Sequence, residues 1–115
     1  MKLVYLTEPQ ASFVEIELLG RNIDDDDPHA REVMEVVLDH FERSRGRSLA
    51  VPDAELMAAM VLDAMNGIDD EIEAHKHGDK YALGRIGGVD TVSQARALQR
   101  TGESIWKKLS ALSAK

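Results

Sequence analysis

The chain has 115 residues, 43% of them apolar and 30% charged, and it contains no cysteine. That size and composition suit one globular domain rather than a disordered chain, and they exclude a disulfide framework, a thiol nucleophile and any cysteine-based metal site. The formal net charge of −7 argues against nucleic acid as a partner for the whole surface. No apolar run approaches the length of a membrane span, and the opening MKLVYLTEPQ does not read as a leader, so a soluble, cytoplasmic protein is expected.

The first twenty residues read as a short strand or hairpin. Val14, Ile16 and Leu18 alternate with Glu15 and Glu17, as on a half-buried strand, and KLVYL is the candidate partner across a turn at Pro9. The same stretch carries a rival signal, because Thr7 and Gln10 have the spacing of a helix capping box. At 100° per residue, however, Phe13, Val14, Ile16, Leu18 and Leu19 scatter round a helix, which favours strand.

A helix over 27–45 follows. Asp27 is placed to cap it, Pro28 occupies a first-turn position where a missing N–H costs nothing, and Asp24–Asp27 lie at the positive end of its dipole. Val33, Met34, Val37, Leu38 and Phe41 give it a buried stripe. A second helix over 53–66 starts at Asp53 and buries Leu56, Met57, Met60, Val61 and Met65. Gly67 reads as its left-handed stop, with a polar helix over 69–77 beyond it. The methionines are expected to fill the core.

The last helix spans 91–113. Val92, Ala95, Leu98, Gly102, Ile105, Leu109 and Leu112 recur at steps of three and four, so Gly102 falls within one stripe and marks a close approach by a neighbour rather than a break. Mainly α architecture is expected: a compact bundle of four to five helices with a short N-terminal strand or hairpin, forming a single domain over 1–115. A two-stranded hairpin is marginal alone and calls for a covering helix or a second chain. Ile105, Trp106, Leu109 and Leu112 are therefore the expected interface of a homodimer.

Charge is divided along the chain. Residues 1–75 hold 18 of the 21 acids and 6 of the 14 bases, a balance of −12, whereas residues 76–115 come to +5. Within the basic part, the segment DKYALGRIGGVDTVSQARAL brings Lys80, Gly84, Arg85, Gly87, Gly88, Arg96 and Arg100 close to a helix start, where backbone N–H groups can meet an anion. The segment resembles a helix-hairpin-helix element, with Leu83 and Ile86 in the apolar places and Gly88-Val89 as the first glycine and its neighbour. That resemblance implies binding to a nucleic-acid backbone. Asp90 stands where the family has its second glycine, and the alanine of the second helix falls one place late, at Ala95. The competing reading is a tight turn capped from within by Asp90 or Thr91.

Catalytic signals are sparse. Glu71 and His75, and likewise Glu73 and His77, share helix faces, but His75 and His77 point about 200° apart on a helix, so no metal site is expected. EVME, Glu32 to Glu35, is similar to half of the paired acidic motifs of helical magnesium-dependent nucleotide hydrolases, but no E-x-x-D accompanies it. No catalytic residues and no cofactor are assigned. The expected function is that of a small, acidic, non-enzymatic accessory protein of a bacterium or phage, acting by protein–protein contact as a homo-oligomer. Backbone binding to nucleic acid is the alternative, and a metal-binding or hydrolytic role comes third.

Overall fold

The computed structural model describes residues 1–114. Strand β1 (Lys2–Tyr5) leads through Leu6 and Thr7 into helix α1 (Glu8–Phe13), a π-helical segment (Val14–Leu19) and the single turn α2 (Gly20–Asn22). Helix α3 (Pro28–Arg43), strand β2 (Ser48–Val51), helix α4 (Ala54–Lys76), a 3₁₀ turn (Leu83–Arg85) and helix α5 (Val92–Ser113) complete the chain. The protein is 69% helical with one short antiparallel sheet, which is the mainly α class expected.

The expected short N-terminal strand forms as β1, but a hairpin with residues 14–18 does not. Residues 8–22 are helical, and Thr7 and Gln10 make the capping box that the alternation had outweighed: the Thr7 hydroxyl accepts from Gln10 N at 3.3 Å, and the Gln10 side chain accepts from Thr7 N at 2.9 Å. The reason lies in the winding. In the π segment the N–H of Gly20 bonds back to the carbonyl of Glu15, five residues earlier. Residues five apart then lie above one another, so Phe13 and Leu18, and Val14 and Leu19, align on one side. All four are buried, Glu17 turns inward with them, and Ile16 is left 48% exposed.

Strand β1 instead pairs with β2, in the register Lys2↔Val51, Leu3↔Ala50, Val4↔Leu49 and Tyr5↔Ser48. Helix α3 covers β2, which is buried along its whole length. SLAV, a short apolar run between Gly46 and Pro52, carried a strand signal of its own. The chain reaches it through Arg45 (φ 57°) and Gly46 (φ 75°), two successive left-handed residues that turn it sharply off the end of α3.

The expected starts hold. Asp27 accepts from Ala30 N and Asp53 from Leu56 N, at 3.2 and 3.0 Å. The expected break at Gly67 does not occur, because α4 runs uninterrupted from Ala54 to Lys76 and merges the two predicted helices. Gly67 serves a packing need: a Cβ there would lie 3.0 Å from Arg21 Nη1, so its absence gives the guanidinium room. Since that neighbour is the end of a flexible, partly exposed side chain, Gly67→Ala is expected to stabilise the protein by about 0.5 kcal/mol through helix propensity. A higher urea midpoint checks it.

Helices α4 and α5 make the largest helix–helix contact. Phe13, Leu18, Met34, Leu49, Met57, Ile68, Ile72, Ile105 and Leu109 are fully buried between these elements, and Met60 joins them. Ile105 and Leu109 are thus core residues with no exposed surface, and the interface expected of them is corrected. Trp106 and Leu112 are half-buried against the same core.

Candidate functional site

The glycine-rich segment is a connector pinned by Ala82, Leu83, Ile86 and Val89, all buried. The helix that should precede a helix-hairpin-helix turn is absent: α4 ends at Lys76, and only the 3₁₀ turn stands before α5. Two of the cations expected to hold an anion are engaged elsewhere. Arg85 spans Glu71 and Asp79, each at 2.6 Å, and Arg96 reaches Asp69 at 2.9 Å and Gln99 at 2.8 Å. These contacts hold the carboxyls of Asp79 and Asp69 below their usual range. The Lys80 ammonium sits 5.1 Å from the centre of the Tyr81 ring, and Arg100 is exposed.

The start of α5 is closed by its own residues. Thr91 Oγ1 accepts from Gln94 N at 3.1 Å, and Gln94 Oε1 accepts from Thr91 N at 3.1 Å and Asp90 N at 2.7 Å. Capping from within, the competing reading, is what the structure shows, with Thr91 rather than Asp90 as the cap. Gly84, Gly87 and Gly88 are exposed, with Gly88 at φ 73°.

Gly87 and Gly88 also border a cavity of about 350 Å³ on the side facing α1 and α5. Pro9, Ile16, Val89, Ala97 and Leu98 give it apolar walls, while Ser12, Gln94 and Thr101 add neutral polar groups. Among the described residues its one ionisable lining residue is Glu17, only 6% exposed. Burial raises the Glu17 carboxyl above its ordinary range, and Arg21, at 3.7 Å, partly opposes that shift. The strand reading had pointed Glu17 outward. The capping box at Thr7 was the signal that could have found it.

A second groove lies across the π segment, against α3. Leu19, Ile23, Leu38 and Phe41 floor a hollow of about 250 Å³ whose charged residues are Glu15 and Glu42. It adjoins another of about 270 Å³ that shares Glu15, Phe41 and Glu42 and adds Glu8, Ala11 and Arg45. The π segment thus separates two concavities, with Glu17 on one side and Glu15 on the other.

The histidines are distributed without convergence. His29 Nε2 donates to Asp53 Oδ2 at 2.8 Å, next to the cap of α4, and His40 Nε2 lies 2.8 Å from Ser48 Oγ. No group of three metal-ligating side chains comes together among the described residues. The hydrogen bond to Asp53 holds His29 above its ordinary pKa, and the same bond, with that from Leu56 N, holds Asp53 below its own. The raised His29 value contributes stability that is complete below about pH 6.5 and is lost as pH rises through the folded-state value. The lowered Asp53 value contributes stability that is lost only as pH falls through the folded-state value, below the usual carboxylate range. Urea midpoints are therefore expected to fall between about pH 6 and pH 8.5 by more in the parent protein than in His29→Gln. Equal falls would show that the pair does not contribute.

The class defined here is a mainly helical protein with a two-stranded antiparallel sheet. No helix among the described residues is long and apolar enough to cross a membrane. Compared with protein families, curated proteins and solved structures, the chain matches none.

Proposed function

We propose that this protein acts without catalysis, as an interaction module that receives a basic amphipathic helix of another protein. The observation that carries this reading is the groove between the π segment and α3, with its apolar floor of Leu19, Ile23, Leu38 and Phe41. Glu8, Glu15 and Glu42 face the groove against a single base, Arg45. Apolar anchors repeating at three and four residues along a helix suit such a floor, and lysines beside them would meet the glutamates. The occupant is taken to be a different protein, because the glutamates at the groove call for a basic helix and this chain carries a net charge of −7. Arg85 and Arg96 are held by Glu71, Asp79 and Asp69, which favours this reading over binding to a nucleic-acid backbone.

The probe is a designed helical peptide of leucine and lysine in heptad-like spacing, followed by fluorescence polarisation. Saturable binding is expected, weakened by salt and by about tenfold in the Glu15→Lys, Glu42→Lys double variant. A control with the same charge change, Asp70→Lys with Asp90→Lys, should retain most of it. Equal binding of a leucine–glutamate peptide, or equal losses in both double variants, would overturn the reading.

A further inference from the structure

The cavity on the opposite side of the π segment calls for a ligand of different chemistry. We infer that it is a binding site for a primary aliphatic ammonium, whose charged end meets the Glu17 carboxylate and whose stem lies against Ile16, Val89 and Leu98. The site does not depend on the groove reading, since none of Leu19, Ile23, Leu38 and Phe41, which floor the groove, lines this cavity.

Glu17 is more than nine-tenths buried, and a carboxylate in that position needs close donors to offset lost hydration. Among the described residues its nearest cation is Arg21 Nη1 at 3.7 Å, beyond a normal hydrogen bond. Arg21 is moreover shared with Asp63 at 3.4 Å. Its guanidinium rests over Gly67 of α4 and does not line the cavity. The carboxylate therefore has a distant cation on one side and an open space of about 350 Å³ on the other. That volume is at the lower end of small-molecule sites and suits a short alkyl chain.

The walls select among cations. A metal ion needs several anionic or imidazole ligands, and among the described residues Glu17 is the only ionisable group lining the space. A second guanidinium would need the planar fork of a carboxylate that Arg21 already approaches. A compact ammonium can use a single oxygen and turn its remaining donors towards neutral acceptors such as Thr101 and Ser12. An anionic ligand would face the Glu17 charge. Gly87 and Gly88 border the cavity, and a Cβ on Gly87 would meet Ile16 Cγ2 at 3.2 Å. The raised Glu17 pKa fits a carboxyl awaiting a countercharge, and a bound cation would lower it.

Backbone amide NMR, repeated over a pH series, provides the test, with n-butylammonium, n-butanol and Nα-acetyl-lysine amide as probes. n-Butylammonium is expected to shift Gly87, Gly88, Val89 and Ala97 saturably, whereas n-butanol should not. Glu17→Gln should weaken it by about tenfold, and Ala97→Phe should block the cavity while leaving the carboxylate intact. Ala97→Phe also carries the test if Glu17→Gln fails to fold. A response to acetyl-lysine amide as well would identify a protein lysine as a possible source, and a response to n-butylammonium alone would identify a free amine. Equal shifts with n-butanol, no saturable shift, or binding unchanged in a folded variant would overturn the inference.

Discussion

Gly102→Ala is expected to destabilise the protein by about 1–2 kcal/mol, although the same change in an isolated helix would favour folding by about 1 kcal/mol. Gly102 lies in the middle of α5, where Phe13 of α1 packs directly on the backbone. A Cβ there would stand 2.7 Å from both Cε2 and Cζ of Phe13 and 3.0 Å from Met65 Cγ. Phe13 is fully buried, so its ring cannot swing into solvent as Arg21 can beside Gly67. The ring or the helix must move, and overpacking of this kind costs about 1–3 kcal/mol, more than the propensity gained. Gly102→Leu should prevent folding. A double-mutant cycle gives the sharper check. Phe13→Ala alone should cost about 3–5 kcal/mol, and Gly102→Ala added to it should then be neutral or favourable, because the clash has gone. Additive losses in urea would show that the two residues do not oppose each other.

Ile105→Asp is the second change with a large expected effect, and it separates two roles for α5. At an interface, Ile105→Asp would divide a dimer and leave each chain folded. Ile105 has no exposed surface within the chain, so the carboxylate would be placed in the core without a partner. The expected result is loss of the cooperative unfolding transition by circular dichroism. Ile105→Ala should retain a transition weakened by about 2–5 kcal/mol, independent of protein concentration. A concentration-dependent midpoint would return Ile105 to an interface. Trp106, half-buried beside it, reports the same transition by fluorescence.

The parts of this fold legible in the sequence are those governed by local chemistry. Asp27 with Pro28, and Asp53 after Pro52, mark helix starts because a side-chain oxygen has to satisfy nearby N–H groups, and it does so in the structure. The stripe through Ala95, Gly102, Ile105 and Leu109 is buried because α5 keeps the ordinary helical period. The π segment follows neither that period nor the period of a strand. Its glutamates alternate with apolar residues and imitate a strand, while the i→i+5 winding exposes Ile16 and buries Glu17. That is why the cavity carboxylate was not legible. The pairing of β1 with β2 escaped for a different reason: it is non-local, and the nearest apolar run offered itself as partner. Gly67 misled because a glycine inside a helix can make room for a neighbour as readily as it can end the helix. The pairing of Arg85 and Arg96 within the basic segment was not legible, since ion pairs with Glu71, Asp69 and Asp79 depend on where α4 lies.

The pairing of β1 with β2 also sets an order of events during synthesis. Lys2 finds its partner in Val51 and Tyr5 finds its partner in Ser48, so more than forty residues separate the two strands along the chain. A ribosome adds about 5–20 residues per second, and the first strand therefore waits seconds for the second to emerge. During that interval the edge of KLVY has only water or other nascent chains to meet. Helix α1, with its own capping box, and α3, with its own cap, need no such wait. The expected sequence is helices first and the sheet closing last, with the N-terminal strand the part most in need of protection while translation continues.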